Sequence, residues 1–540
     1  MSEKGRPERE HRSAQHEGNP VSEKGRLERE HRSAQHEGNR VTRIGVERGG
    51  GRAFAVAALL ALHTLLAGCG SPEGPPARSL ALAECRLPKL PVTARCGELA
   101  VPENRARPDR RRIGIFVAVL PANTVAPRPD PLIILAGGPG QAASRLAPLA
   151  LRLNDVRRRR DIVLIDQRGT GRSSPLACAA FGPDDDLAAA FDPDPVGKAQ
   201  DCLRELAATG VDLAQYTTEA WVADIDAVRA ALGYPQVNLW GGSYGTRVAL
   251  AYLRRHPARV RSMVLDGVAP PEMAVPRDVW HSREQALDDV LAACAANEAC
   301  RRQHPDLRQK LDRLERDLAA PGRRIDYPDP RSGRPRAGTF TFDLVLGGMH
   351  ALTYAPERAA LLPEVIDRVA AGDFGPLLAL AQAAIGDLSG QMTPALHYAV
   401  ICSEDAPRVT PEERRSLERL RSRALAASLF DVCAIWPKGT PAADAATPVQ
   451  SDVPALLLSG GLDPVTPPAS AAIVAATLPR SRQVVAQGAG HIVSTYACVP
   501  RMIAAFVDDA DATALPASCI DFVAGTKRSP LWPDRLGPQP

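Results

Sequence analysis

The sequence around Ser243 resembles the surroundings of a nucleophilic serine more than that of any other residue in the chain. It is the centre of the segment GGSYG at positions 241–245, which follows an apolar run and precedes a helical pattern that ends before Pro257. A G-x-S-x-G sequence between a strand and a helix is typical of a sharp turn that exposes a serine hydroxyl, and the helix N-terminus favours developing negative charge. We therefore predict that Ser243 is a catalytic nucleophile. The alternative is a glycine-rich turn with a structural role only.

A serine hydroxyl is a poor nucleophile unless a base removes its proton and a carboxylate orients that base. His491 follows the apolar run Gln483–Val485, and of the 11 histidines it alone follows a late strand of the predicted core. Asp463 lies in the turn after another late apolar run, so the chain order is serine, acid, histidine. We predict the triad Ser243, Asp463 and His491, with Asp266 as the alternative acid.

Attack of a serine on a carbonyl carbon creates an oxyanion that needs two preorganised N–H donors. Gly137 and Gly138 follow the apolar run Leu132–Leu135, and Tyr244 directly follows the predicted nucleophile. We predict that the pair Gly137 and Gly138 supplies one donor of the oxyanion hole and that the Tyr244 N–H is the second. The alternative for the glycine pair is an ordinary turn.

Apolar runs that alternate with helical patterns indicate the elements that position these residues. From Leu132 onward the alternation is typical of a parallel sheet with crossover helices. Upstream, Leu99–Val101 and Ile113–Val119 flank a polar turn, which predicts an antiparallel hairpin at the sheet edge. The predicted core strands are Leu132–Leu135, Ile162–Ile165, Val237–Trp240, Met263–Leu265, Ala455–Leu458 and Gln483–Val485.

The alternation stops between about Pro271 and Thr447, where long helical patterns take over. We interpret residues 271–447 as an inserted, mostly helical cap over the C-terminal edge of the sheet. The alternative is a helical layer with no role in substrate choice. The predicted organisation is a leader over residues 1–68, a core in two parts over residues 69–270 and 448–540, and the cap between those parts.

Five segments carry a resemblance to a known family. They are GGPG (137–140), DQRGTGRS (166–173), GGSYG (241–245), GLDPVTP (461–467) and GH (490–491). They are similar to the proline iminopeptidase and tripeptidyl aminopeptidase group of serine peptidases, and the likeness covers about residues 85–520. The resemblance implies an α/β-hydrolase fold with a mostly parallel central sheet and peptidase activity. It also implies that Asp166 and Arg168 support the oxyanion loop.

Two positions depart from the proline iminopeptidase pattern. Ala136 stands where that group usually has His before the paired glycines, and Tyr244 stands where it usually has Trp after the nucleophile. Tyr244, the C-terminal arrangement and the paired cysteines are closer to the tripeptidyl aminopeptidase branch. Gln141 departs from that branch as well, since it replaces a glycine that is frequent there.

The N-terminal region begins with a polar repeat. Residues 2–19 recur almost unchanged as residues 22–39, without an apolar face, and we interpret residues 1–40 as a disordered leader. An export signal this far from residue 1 is unusual. We therefore expect the true translation start near Val41 or Val46, in which case the repeat is not translated.

The apolar run Ala53–Ala67 is shorter than the roughly 20 residues of a membrane-spanning helix. Its basic flank and small terminal residues indicate a secretory signal. The run ends in Leu66-Ala67-Gly68-Cys69, which resembles the lipobox of bacterial lipoproteins. We predict that a lipid on Cys69 anchors the mature protein to the cell envelope, in the periplasm or on the outer face of a bacterial membrane. The alternative is an ordinary signal peptide with an incidental cysteine.

The remaining cysteines support export. Removing Cys69 from the 11 cysteines leaves ten, an even number that fits disulfides in an oxidising compartment. A zinc site is the alternative, although no C-x-x-C or C-x-x-H cluster of the usual spacing occurs. We predict no metal and no cofactor. Pairing in sequence order predicts the bonds Cys85–Cys96, Cys178–Cys202, Cys294–Cys300, Cys402–Cys433 and Cys498–Cys519.

The charge balance gives no reason to expect a nucleic-acid partner, since 66 basic and 62 acidic residues are spread along the chain. We predict an exported peptidase that releases residues or short peptides from peptide N-termini through an acyl-enzyme. One alternative is an esterase or amidase that acts on small molecules with the same triad. Another is a non-catalytic binding protein on a hydrolase scaffold.

A peptidase that selects free N-termini must meet a positive charge with a carboxylate, because an unpaired ammonium is costly to desolvate. Glu404 and Asp405 follow an apolar run and lie beside Cys402. We predict that Glu404 binds the N-terminal amine of the substrate. The alternative is an exposed acidic pair that closes a helix or strand.

Overall fold

A nine-stranded mixed sheet positions the residues that are predicted to do chemistry. The computed structural model describes residues 80–181, 194–330, 332–389 and 392–525, so the predicted leader, signal and Cys69 lie outside the described residues. The strands in spatial order run β1-β2-β3-β5-β4-β6-β7-β10-β11. Neighbours from β1 to β5 are antiparallel and those from β5 to β11 are parallel. These strands are β1 (Ala83–Cys85), β2 (Ala94–Pro102), β3 (Arg112–Leu120), β4 (Leu132–Leu135), β5 (Ile162–Ile165), β6 (Val237–Gly242), β7 (Val260–Asp266), β10 (Ala455–Gly460) and β11 (Ser481–Ala486).

Burial on both faces explains the central strands. Every residue of β4 (LIIL) and β5 (IVLI) is buried, which is the pattern of parallel strands covered by helices on both sides. The predicted bounds of these two strands agree with the structure, and the other predicted core strands lie within longer observed ones. The predicted hairpin is β2 and β3, in which Leu99 pairs with Ile115. It does not form the edge of the sheet as predicted, because β1 pairs with the outer side of β2. The α/β-hydrolase fold is thus confirmed.

Helices pack on both faces of the sheet and dominate the region after β7. Ile133 packs into one hydrophobic cluster and Ile134 into the other, because successive side chains of a strand point to opposite faces. The helices are α1 (Ala147–Arg152), α2 (Pro195–Ala208), α3 (Thr218–Ala231), α4 (Tyr244–Arg255), α5 (Val275–Ala296), α6 (Glu298–Gln303), α7 (Leu307–Asp317), α8 (Phe342–Leu352), α9 (Pro356–Ala359), α10 (Leu362–Ala370), α11 (Gly375–Ser389), α12 (Pro394–Glu404), α13 (Pro411–Leu417), α14 (Arg423–Ile435), α15 (Pro468–Ala475), α16 (Val499–Asp509) and α17 (Ala517–Gly525).

The region interpreted as a helical cap contains helices α5 to α14 and also a two-stranded antiparallel sheet. That sheet consists of β8 (Arg323–Pro328) and β9 (Pro335–Phe340), which the helical patterns do not predict. Apolar side chains from Leu287 to Ala384 form a hydrophobic cluster of their own. In contrast, buried residues of α12 and α14 join the cluster on one face of the main sheet.

All five predicted disulfides are present in the structure. The largest sequence separation is 31 residues, between Cys402 on α12 and Cys433 on α14. The others join Cys85 to Cys96, Cys178 to Cys202, Cys294 to Cys300 and Cys498 to Cys519. Within the described ranges, no helix is both long and apolar enough to cross a membrane.

Candidate active site

Ser243 lies in a strained turn between β6 and α4. Its backbone has φ 55° and ψ −124°, a conformation that L-residues seldom adopt and that is common at functional sites. Close backbone contacts require the glycine on its C-terminal side, since a Cβ on Gly245 would lie 2.1 Å from the Leu135 carbonyl oxygen. The Ser243 N–H donates to the Asp266 carbonyl oxygen over 2.8 Å, and the side chain remains partly exposed. The turn therefore presents the hydroxyl above the end of the sheet.

His491 and Asp463 form a hydrogen-bonded pair. The distance from His491 Nδ1 to Asp463 Oδ2 is 2.8 Å. The Asp463 carboxylate also accepts hydrogen bonds from the backbone N–H of Val465 and from both the N–H and the hydroxyl of Thr466. These donors fix the carboxylate, which in turn orients the imidazole with Nε2 directed away from the pair.

The charge of Asp463 also changes the acidity of His491. Burial lowers the pKa of His491, but the charge and the hydrogen bond of Asp463 outweigh burial and hold that pKa above its ordinary value. This ring is therefore a stronger base than a free histidine.

The Ser243 turn and the His491 ring both contact the end of β7, at Asp266 and Gly267. Ser243 N–H is bound to the Asp266 carbonyl, and a Cβ on the adjacent Gly267 would lie 3.0 Å from His491 Cε1. Within the described part of the chain, no hydrogen bond joins the Ser243 hydroxyl to His491. Such bonds are often long in free enzymes and tighten when substrate binds.

Asp266, the alternative acid, has different partners from Asp463. Its carboxylate accepts hydrogen bonds from the backbone N–H groups of Val493 and Ser494 and from the Ser494 hydroxyl. Burial raises the pKa of Asp266 to about 6, although these donors oppose the rise. Asp266 thus holds the loop that follows His491, while Asp463 contacts the imidazole itself.

Two of the predicted oxyanion-hole residues, Gly137 and Tyr244, adjoin the nucleophile. A Cβ on Gly137 would lie 3.2 Å from the Ser243 Cβ, so this glycine allows a close approach. The Gly137 N–H donates to Gln141 Oε1 over 3.2 Å, and Gly138 has a φ of 110°. Tyr244 is the first residue of α4, so its N–H belongs to the helix donors that lack an intrahelical acceptor. Their donation to an oxyanion remains a prediction.

Of the two residues that the resemblance assigns to loop support, Asp166 contacts the segment after the GGPG loop. Its carboxylate accepts hydrogen bonds from the Ser144 N–H and hydroxyl, at 2.7 and 2.9 Å. Arg168 instead makes two hydrogen bonds to Asp224 and further bonds to the carbonyls of Glu103 and Gln215. Asp166 therefore holds the segment that follows the GGPG loop, and Arg168 binds α3. Support of the oxyanion loop by these two residues remains a prediction.

A contact that the sequence did not indicate joins the start of α12 to the oxyanion loop. The Thr393 N–H donates to the Gly140 carbonyl over 2.9 Å, and His397 Nδ1 lies 3.2 Å from the Pro139 carbonyl. Burial lowers the pKa of His397, so its ring is neutral and Nδ1 carries the donated proton. Part of the predicted cap thus holds the loop that contains the predicted oxyanion donors.

Glu404, the predicted amine ligand, is buried at the C-terminus of α12. Its two carboxylate oxygens accept hydrogen bonds from the Thr218 N–H at 2.6 Å and from the Thr218 hydroxyl at 2.7 Å. The same hydroxyl lies 2.8 Å from the Tyr244 phenol. Burial raises the pKa of Glu404. Glu404 therefore connects to the Ser243 turn through the Tyr244 side chain, and amine binding remains a prediction.

Neighbouring Asp405 is also buried, rather than part of an exposed acidic pair. It forms ion pairs with Arg247 and Arg408, each at 2.8 Å. Among the described residues no group of histidine, cysteine and carboxylate side chains could hold a metal ion.

Comparisons with known proteins agree with this arrangement. Residues 130–334 match a family model described as alpha/beta hydrolase fold, and residues 419–519 match one described as TAP-like protein. Serine protease Hip1 of Mycobacterium tuberculosis is 28% identical over 413 residues, which cover 70% of this chain and 78% of that protein. Tripeptidyl aminopeptidase of Streptomyces lividans is 26% identical over 344 residues, covering 58% of this chain and 61% of the relative. Proline iminopeptidase of Neisseria gonorrhoeae is 37% identical over 138 residues, which cover 26% of this chain and 32% of that protein.

Proposed function

We propose that this chain, an enzyme with the α/β-hydrolase fold, is a serine peptidase. We propose further that it releases residues or short peptides from peptide N-termini outside the cytoplasm. The observation that carries the proposal is the 2.8 Å Asp463–His491 pair, which meets the same loop as the strained Ser243 turn. A relative named tripeptidyl aminopeptidase and another named proline iminopeptidase support a preference for N-termini.

The proposed reaction passes through an acyl-enzyme. Ser243 Oγ attacks the carbonyl carbon of the scissile bond while its proton moves to His491 Nε2. Asp463 stabilises the imidazolium that forms, because it already accepts the Nδ1–H. His491 then gives the proton to the leaving amine, and a water molecule activated by the same ring releases the acyl group from Ser243.

The oxyanion of each tetrahedral intermediate would accept hydrogen bonds from the Tyr244 N–H and from the glycine pair. The Gly137 N–H is bound to the Gln141 side-chain oxygen in this structure. A substrate carbonyl oxygen would therefore replace Gln141 Oε1 as its acceptor. One such donor contributes about 2.7–4 kcal/mol to the stability of comparable transition states.

A panel of fluorogenic aminoacyl and tripeptidyl substrates tests the proposal, with N-acetylated versions of each as controls. We expect cleavage of the free-amine substrates and little cleavage of the acetylated ones. Ser243→Ala should abolish both acyl transfer and labelling by a fluorophosphonate probe without lowering the melting temperature. Retention of most activity in a stable Ser243→Ala protein would remove Ser243 from the role of nucleophile.

The contact between Glu404 and Thr218 favours a second function, the hydrolysis of small esters or amides. Both Glu404 oxygens are bound to Thr218, so an amine would have to share a carboxylate that already accepts two hydrogen bonds. Glu404→Gln separates the two functions. If Glu404 binds the amine, the variant should lose at least about tenfold in kcat/KM on free-amine peptides and little on a neutral nitrophenyl ester, since a hydrogen bond to a charged group contributes about 1.5–3 kcal/mol. Equal losses on both substrates would exclude amine binding by Glu404.

The proposed location is the cell envelope, with Cys69 lipidated. The support is the presence of five disulfides, which persist in oxidising compartments and are rare in the cytosol. The apolar run before Cys69 adds sequence support.

A further inference from the structure

Arg283 extends from α5 to the immediate surroundings of His491. Its Nη2 donates to the Tyr354 hydroxyl over 2.7 Å, and its guanidinium carbon lies 5.0 Å from the centre of the Trp280 ring. Tyr354 in turn contacts His491 in two ways. The Tyr354 carbonyl accepts the His491 N–H at 3.1 Å, and the two rings meet edge to face with centroids 5.6 Å apart. A single residue therefore separates the Arg283 guanidinium from the predicted catalytic base.

Among the described side chains, none forms an ion pair with Arg283, and its Nε is buried without a hydrogen-bond acceptor. Arg277, six residues earlier on the same helix, differs from Arg283 because it pairs with Asp278 and Glu413. A half-buried guanidinium that is held against aromatic rings without an anion keeps its charge available, and a guanidinium group matches the geometry of a carboxylate.

The positive charge of Arg283 acts on three histidines. Burial is the main cause that lowers the pKa of His350 and of His397, and the charge of Arg283 lowers both further. The same charge lowers the pKa of His491 and so opposes the larger effect of Asp463. A bound anion would relieve this repulsion around the imidazole.

We propose that Arg283 binds a carboxylate on the leaving-group side of the substrate and so determines specificity for the residues after the scissile bond. The leaving amine must pass next to His491, because this residue protonates it, and Arg283 adjoins His491 through Tyr354. The carboxylate has two sources of the same chemistry, the free C-terminus of a short peptide or an acidic side chain after the scissile bond. This inference deepens the proposed hydrolase function of the site and rests on it.

Matched peptides test the inference and distinguish the sources. One pair differs only in a C-terminal carboxylate or carboxamide one residue after the scissile bond, and a second pair has Glu or Gln at that position with an amidated C-terminus. We expect the wild-type enzyme to prefer the carboxylate member of at least one pair by about tenfold or more in kcat/KM, the factor that corresponds to ~1.4 kcal/mol. Arg283→Gln should reduce this ratio towards one, Arg283→Lys should retain part of it, and the paired Arg277→Gln should leave it unchanged.

Aryl esters keep the test independent of peptidase activity. Two esters with the same acyl group, whose leaving groups carry a carboxylate or a carboxamide, are compared after normalisation to their alkaline hydrolysis rates. If peptides are not cleaved but the esters show the preference, the inference stands and the aminopeptidase proposal fails. A wild-type ratio near one for every pair overturns the inference, even if Arg283→Gln does not fold. A ratio that Arg283→Gln leaves intact overturns it as well.

Discussion

Two buried aspartates near His491 differ in what their carboxylates hold. Asp463 binds the imidazole directly, whereas Asp266 binds the backbone of Val493 and Ser494 in the loop beyond it. The Ser494 hydroxyl also accepts a hydrogen bond from Trp240 Nε1 at 2.8 Å, which links this loop to β6. Asp463 therefore orients the base, and Asp266 supports the loop that follows it.

Replacing each aspartate by asparagine should separate these tasks. In Asp463→Asn the amide N–H₂ would face His491 Nδ1 and force the ring into the wrong tautomer, so kcat should fall by about 10⁴-fold. Asp266→Asn loses an acceptor for buried donors and should lower the free energy of unfolding by about 1–3 kcal/mol. Single-turnover kinetics and urea denaturation of both variants measure the two effects. A larger kinetic loss in a stably folded Asp266→Asn would reverse the assignment of the acid.

The pH dependence of hydrolysis should report the raised pKa of His491. The ring must be neutral to accept the Ser243 proton, so activity is absent below its pKa and appears as the pH rises through that value. Because Asp463 holds the pKa of His491 above its ordinary value, we expect the midpoint of kcat/KM against pH to lie above about 6.5. Stopped assays of a neutral ester from pH 5 to 9 would measure it, and a flat profile between pH 5 and 8 contradicts the assignment.

At the scale of elements, the crossing of β4 and α4 sets the position of the nucleophile. A Cβ on Gly245 would lie 2.1 Å from the Leu135 carbonyl oxygen and 2.8 Å from that of Ala136, and both are backbone atoms that cannot rotate away. Gly245→Ala must therefore push α4 away from the sheet. We expect the free energy of unfolding to fall by at least about 1–3 kcal/mol and the hydrolytic activity to be lost. Gly338→Ala in β9 is the matched control, since its nearest atom would lie at 3.5 Å. Chemical denaturation with equal midpoints for the two variants would contradict the packing argument.

Elements with a strong local signal could be predicted from the sequence, and those that depend on tertiary contacts could not. The runs LIIL and IVLI predict their strands because a strand buried on both faces must be apolar throughout. The β8–β9 hairpin has no such signal, since most of its residues are exposed.

The same division applies to the candidate site. Ser243, Asp463 and His491 follow strand ends in a fixed chain order, so their positions could be predicted. Arg283, Tyr354 and His397 lie on helices or helix turns of the long region after β7. Their sequence surroundings resemble those of ordinary helical residues, and only the packing of that region brings them to the site.

For the whole molecule, the disulfides act as local staples and do not join distant parts of the chain. Their sequence separations run from 6 to 31 residues. The Cys402–Cys433 bond has the most direct relation to the site, because α12 carries Cys402 near its end and His397 near the oxyanion loop. Loss of this bond would loosen α12, the helix that contacts the GGPG loop.

The mature protein is expected to begin at a lipidated Cys69 and to carry all five sequential disulfides. Cys69 lies outside the described residues, so this expectation rests on the segment Leu66-Ala67-Gly68-Cys69 and on the even number of cysteines that remain. Mass spectrometry of tryptic peptides without reduction would identify both the modified N-terminus and each cystine. Cys69→Ser is the control: it should release the protein from the membrane fraction while the cystines and ester hydrolysis persist. An unmodified Cys69 in the natural host would exclude the anchor. Free thiols at Cys402 and Cys433 would contradict the pairing, because two neighbouring cysteines should form a disulfide in an oxidising compartment.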